Sequence, residues 1–213
     1  MKDEIRGIFD ELYIQYPCLK GCAADIERSY CALEKAFGNG AKLLVCGNGG
    51  SAADSEHITG ELMKGFNLKR KLGDEQRALF NNMENGAYLA DNLQGALPVI
   101  SLVSQTGLMT AFINDVKADM VFAQQVYGYL KPGDVLLALS TSGNSANVYN
   151  AACVAASLGG TVIAVTGEKG GKLNDVSRIT VKLPALSPYR VQELTLPLYH
   201  ALCAALELSF FKD

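Results

Sequence analysis

Short apolar runs rich in β-branched residues alternate along this chain with longer stretches of helical periodicity. Residues 2–16 and 19–37 carry apolar positions at helical spacing, and the second stretch stops at Gly38-Asn39-Gly40, a C-terminal helix signal. Five apolar runs follow, at Lys42–Cys46, Pro98–Val103, Asp134–Leu139, Thr161–Thr166 and Arg178–Leu183, with helical stretches near 52–66, 106–129, 145–158 and 189–211. Nearly continuous apolar strands joined by helical crossovers predict a parallel sheet covered on both faces. The expected fold is α/β: a three-layer, doubly wound, five-stranded parallel sheet of flavodoxin-like type, preceded by two N-terminal helices. Such sheets bind ligands beyond the carboxyl ends of their strands, at the point where the winding reverses.

Length and charge narrow the classes. With 213 residues, 49% of them hydrophobic, the chain is long enough to bury a full core as one domain over residues 1–213. A net charge of -3 leaves no basic stripe for nucleic-acid phosphates, so no nucleic-acid partner is expected. Cys18, Cys22, Cys31, Cys46, Cys153 and Cys203 are scattered, half of them within apolar runs, which suits small core side chains in a reducing cytoplasm. The N-terminus shows no apolar signal segment and no membrane span is expected.

The candidate chemistry sits where strands turn into helices. Leu43-Leu44-Val45-Cys46 breaks into Gly47-Asn48-Gly49-Gly50-Ser51, a turn without Cβ atoms that lets backbone amides approach an anion at a helix N-terminus. After the third apolar run comes Ser140-Thr141-Ser142-Gly143-Asn144-Ser145. One hydroxyl would serve as a helix cap, but four within six residues exceed that need and suit the oxygens of a phosphate. Neither loop has the Lys of a P-loop or the third glycine of a dinucleotide fingerprint, so no nucleotide cofactor is indicated. His57 and Glu61, spaced i, i+4, share a helix face close to the first loop. Gln192 and His200 lie eight residues apart, which on one straight helix means a rise of about 12 Å and an offset of about 80°. Pro197 between them removes an amide and disfavours the bond to Glu193, predicting a kink.

With these residues assembled the chain resembles the sugar isomerase (SIS) domain family, and within it the phosphoheptose isomerases. The matching segments are Cys46–Ser51, His57-x-x-x-Glu61, Asn114-Asp115, Gly133–Leu137 running into Ser140–Val148, Thr166-Gly167, and Arg190–Glu193 with His200. The resemblance implies conversion of sedoheptulose 7-phosphate to D-glycero-D-manno-heptose 7-phosphate through an enediol, with Glu61 as base and His200 as acid. It further implies one zinc ion per subunit held by His57, Glu61, Gln192 and His200. Ser51, Ser140, Thr141, Ser142 and Ser145 would hold the phosphate, with Asn48, Gly49, Gly50 and Gln192 also binding substrate and Asp115 meeting sugar hydroxyls. A carboxylate bound to zinc is a weak base, so Glu61 either leaves the metal when substrate arrives or the sugar displaces the metal.

Two other readings stand beside this one: a non-catalytic SIS module that binds a phosphosugar or associates with a replication initiator, and an isomerase of another phosphosugar. Retention of His57, Glu61, Gln192 and His200 favours the enzyme. Residues 67–97 exceed the family's usual connection, and Tyr189 stands where the family carries an aspartate. That insert should hold one or two short helices anchored by Leu72, Leu79, Phe80, Tyr88, Leu89 and Leu93. The helices of residues 1–38 are not needed as crossovers, so their apolar faces are expected to form an interface, and the resemblance implies a homotetramer with sites at subunit boundaries.

Overall fold

The computed structural model describes residues 2–212. Two helices, α1 (Asp3–Gln15) and α2 (Ala23–Gly38), come first, separated by a 3-10 turn at Pro17–Cys22. The second helix therefore starts later than its periodicity suggests, because Pro17 and Gly21 favour the tighter turn. The sheet is built from β1 (Leu43–Cys46), β2 (Val99–Ser101), β3 (Val135–Leu139), β4 (Thr161–Gly167) and β5 (Ile179–Leu183). All neighbours pair in parallel in the order β2-β1-β3-β4-β5, so the winding reverses between β1 and β3. The α/β expectation holds.

Alternate strand residues feed two cores. Leu43, Val45, Val135, Leu137, Ile163 and Val181 point to the layer that holds α1, α2, α3 (Gly50–Met63) and α10 (Pro188–Phe211). Leu44, Cys46, Leu136, Ala138, Val162 and Ala164 point to the opposite layer, where α7 (Val121–Tyr129), α8 (Ala146–Ser157) and α9 (Leu173–Val176) lie. The stretch 106–129 is broken rather than continuous. Its first part, α6 (Thr106–Asp115), ends at Val116 and buries no residue in the chain.

The N-terminal helices do not carry the free apolar face expected of them. Ile5, Phe9, Leu12 and Tyr13 of α1 and Ile26, Tyr30, Leu33 and Phe37 of α2 are buried within this same chain, against α10 and the sheet. Uncovered apolar residues are instead scattered over several helices, among them Ile14 on α1, Leu108 and Ile113 on α6, Tyr127 on α7 and Leu196 on α10. Helix α10 is long and apolar enough by composition to cross a membrane, yet half of that window is buried here, as the central helix of one layer. It runs unbroken across Pro197.

The insert contains two short helices, α4 (Asp74–Ala78) and α5 (Gly86–Asn92). Of its expected apolar anchors Leu72, Phe80 and Leu89 are half-buried, whereas Leu79 is 75% and Tyr88 69% exposed. Polar ties do much of the rest. Glu207, buried on α10, accepts hydrogen bonds from the amides of Phe66 (2.7 Å), Asn67 (2.7 Å) and Leu68 (3.1 Å) and from Arg70 Nε (2.7 Å). Arg70 in turn donates to the carbonyls of Leu62 (2.7 Å) and Glu61 (2.9 Å), closing the C-terminus of α3. Arg70 adopts a φ of 29°, a left-handed conformation that a side chain tolerates only when its surroundings dictate it. Farther along, Arg77 holds the carbonyl of Ala90 and the carboxylate of Asp91.

Removing one partner of a buried ion pair leaves the other charge uncompensated, at a cost of about 3–5 kcal/mol. Glu207→Ala should lower the unfolding free energy by that order, measured by urea denaturation at fixed protein concentration. The double replacement Arg70→Met with Glu207→Leu should cost clearly less, because no charge is then stranded.

Candidate active site

The reversal point between β1 and β3 brings the two glycine- and hydroxyl-rich loops together. Asn48, after β1, and Asn147, in the first turn of α8, exchange side-chain amide hydrogen bonds of 2.9 Å in both directions. Ser140 Oγ lies 3.0 Å from Ser145 Oγ. Ser145 occupies the N-cap position of α8 but its side chain makes no capping bond, so helix capping does not account for its hydroxyl. Gly143 has a φ of 66°, and a Cβ there would lie 1.9 Å from the carbonyl oxygen of Gly170. Only glycine fits this turn. Thr141 and Ser142 open onto a pocket of about 290 Å³ shared with Asn144, Gly167 and Glu168.

Helix α3 leaves the first loop at its N-terminus and runs beside α10. Gly50 faces Gln192: a Cβ at Gly50 would stand 2.5 Å from Gln192 Nε2, so the amide side chain occupies the space a larger residue would fill. Two turns further along both helices, the rings of His57 and His200 meet edge to face at 5.0 Å, and Tyr199 packs on both. The contacts 50 to 192 and 57 to 200 mean that the two helices run parallel, with Gln192 at one end of the seam and His200 about 12 Å further on.

At the far end of the seam the polar groups are close. His57 Nε2 is 3.1 Å from Glu61 Oε1, and Lys64 Nζ is 3.4 Å from Glu61 Oε2. Tyr199 Oη lies 2.8 Å from His57 Nδ1 and donates to Asp54 Oδ1 at 3.4 Å. Asp54 Oδ2 and His200 Nε2 are buried without a hydrogen-bond partner. Burial, followed by the neighbouring His57, pushes the His200 pKa below its ordinary value, while Glu61 pulls it back up. Burial also raises the Asp54 carboxyl, against the Tyr199 hydrogen bond and His57. His200 further lines a pocket of about 290 Å³ between α10, α1 and Phe66.

Within one chain the residues marked out by sequence thus fall into two groups. Asn48, Gly49, Gly50, Ser51, Ser140, Thr141, Ser142, Ser145 and Gln192 belong to the loop end, and His57, Glu61 and His200 to the far end. Asp115 lies apart: it ends α6, is exposed, and its carboxylate accepts from the adjacent Asn114 at 2.8 Å. Among the described residues no three His, Cys, Asp or Glu side chains are grouped as a metal cluster. Sequence reasoning gave no role to Asp54, Asn147 or Tyr199. The first sits one turn before His57 and the last beside His200, a spacing that becomes informative only once α3 and α10 are known to pack together.

Known proteins resemble this chain in sequence and in fold. Residues 89–167 match the family model described as SIS domain. The phosphoheptose isomerase of Rhodospirillum rubrum is 34% identical over 207 residues, covering 97% of each chain. Among solved structures, the phosphoheptose isomerase of Neisseria gonorrhoeae superposes with a TM-score of 0.73 at 29% identity, covering 96% of this chain and 97% of its own. That of Francisella tularensis gives 0.73 at 27%, covering 97% and 99%. The similarity extends over the N-terminal helices, both loops and α10, and the chain belongs to the SIS domain family, in its phosphoheptose isomerase branch.

Proposed function

We propose that this protein is a phosphosugar isomerase that interconverts sedoheptulose 7-phosphate and D-glycero-D-manno-heptose 7-phosphate in the cytoplasm. The observation that carries the reading is that one helix, α3, starts at the loop suited to a phosphate and bears a carboxylate, Glu61, close to two histidines near its other end. A ligand anchored by its phosphate at one end of the seam would reach toward an acid/base pair at the other. The names of the relatives, phosphoheptose isomerases such as the one that matches over 97% of this chain, favour a phosphoheptose as the substrate.

Starting from the ketose, Glu61 takes a proton from C1 while His200 gives one to the C2 carbonyl oxygen, leaving an enediol. The O1 proton then departs as a proton returns to C2, which yields the aldose. A carboxylate and an imidazole suit these two tasks near neutral pH. The hydroxyls of Ser51, Ser140, Thr141, Ser142 and Ser145 hold a phosphate whose charge does not change during the reaction.

The donor set at the far end fits zinc: two imidazoles and a carboxylate, with Nε2 of His200 buried and left without a protein partner. Bound zinc would polarise the oxygens of the substrate as a Lewis acid. His57, Glu61 and His200 would hold it, and Gln192 as the fourth ligand would have to come from a neighbouring chain, since its own position is at the Gly50 end of the seam. This supports a homotetramer with sites at subunit boundaries, in which the uncovered apolar residues of α6 find a partner. Because the helices α1 and α2 form part of the core, assembly is better tested on the intact chain than by deleting them.

Glu61→Gln and His200→Ala should each reduce kcat by about 100-fold or more, the usual weight of general acid–base catalysis. Identification of products from a panel of phosphosugars, with both variants shown folded by circular dichroism, checks this. Near wild-type turnover in both would remove them from the chemistry.

Ser142→Ala and Ser145→Ala should raise KM with little change in kcat, because ground state and transition state lose the same phosphate contact. A fall in kcat at unchanged KM would argue against a phosphate-holding role.

Metal analysis should find about one zinc per chain, and sedimentation of the intact protein should give a tetramer. A fully active, metal-free monomer would overturn both statements.

A further inference from the structure

Beneath His57 lies a polar chain that the proton-transfer pair does not use. Tyr199 is buried on α10, with its hydroxyl 2.8 Å from His57 Nδ1 and 3.4 Å from Asp54 Oδ1. Among the described residues the one hydrogen bond made to the Asp54 carboxylate comes from Tyr199, and its second oxygen is buried with no partner. On the other side of the ring, Nε2 faces Glu61 Oε1 at 3.1 Å.

A neutral imidazole carries one N–H, so its two nitrogens must play opposite parts. If the tyrosine hydroxyl donates to Nδ1, it cannot also donate to Asp54, and the partly buried carboxylate loses its single donor. Leaving a buried acceptor without a partner costs about 1–3 kcal/mol, and more when it is charged. If instead Nδ1–H donates to the tyrosine oxygen, the tyrosine O–H goes to Asp54 and every donor has an acceptor. The lone pair of Nε2 then points at the Glu61 carboxylate. Two acceptors face each other there, an arrangement that favours a cation between them.

We propose that Asp54 and Tyr199 form a positioning dyad that holds His57 as its Nδ1–H tautomer and presents Nε2 as an electron-pair donor toward a zinc ion shared with Glu61. The proposal rests on the metal reading of the site given above. Outer partners that fix a ligand histidine in this way commonly change metal affinity about 10- to 100-fold when removed. The aromatic ring of Tyr199 also packs edge-on against both histidines, so the hydroxyl has to be tested apart from the ring.

Tyr199→Phe keeps the ring and deletes only that hydroxyl. In the full-length protein, competition for zinc against a chromogenic chelator should show affinity weakened by about 10- to 100-fold. Asp54→Ala should weaken it similarly, and the double variant should lose little more than either single one, because both act through the same hydrogen. Asp54→Asn, which keeps an acceptor oxygen, should retain most of the affinity. With only two histidines in the chain, nitrogen-15 spectra can follow the His57 tautomer directly in metal-free protein. Nδ1 should carry a hydrogen in the wild type, whatever fills the space between Nε2 and Glu61, and lose it in part in Tyr199→Phe. Unchanged zinc affinity together with an unchanged tautomer in that variant would overturn the dyad. Should the wild type take up no zinc, the metal reading fails, and the nitrogen spectra alone decide whether the dyad sets the tautomer.

Discussion

The parallel packing of α3 on α10 is the constraint from which the rest of the candidate site follows. It depends on a polar lock at one end and a missing side chain at the other. Glu207 gathers three amides and Arg70, and Arg70 closes the last carbonyls of α3, one of which belongs to Glu61. At the opposite end, Gly50 makes room for Gln192. Between these fixed points His57, Tyr199 and His200 have little choice of neighbour.

The architecture was largely legible in the sequence because parallel strands buried on both faces leave an unmistakable run of apolar residues, as in Leu43–Cys46 and Val135–Leu139. The glycines of the first loop, Gly50 among them, also read as places of close approach, whereas the tight turn at Gly143 became visible only in the structure. What the pattern could not convey was which helix covers which. The apolar face of α1 and α2 reads identically whether it meets α10 of its own chain or another subunit, and here α10 covers it. The insert misleads for a related reason. Leu79 and Tyr88 have the composition of anchors, while Arg70 and Arg77, the residues that tie the segment down, look in sequence like ordinary surface charges.

Site residues divide along the same line. Spacing on one element showed that His57 and Glu61 are neighbours, and the hydroxyl density of Ser140–Ser145 exceeded what a cap needs. Asp54 and Tyr199 stand 145 positions apart, and only tertiary packing joins them. The separation of Gln192 from His200 was visible as simple helix arithmetic, and the structure retains it because α10 stays helical through Pro197.

The order in which the chain is made gives this arrangement a further meaning. Helix α10 is synthesised after all five strands, yet it supplies the surface on which α1, α2 and α3 settle. Until it emerges, the apolar faces of the first two helices have only each other and the sheet to cover them, a half-finished layer exposed to aggregation or to capture by chaperones. The nascent protein therefore holds a sheet with one finished side and one unfinished side. The helix that brings Gln192 and His200 is also the one that completes the hydrophobic layer, so the candidate site and the finished core arrive in a single late step.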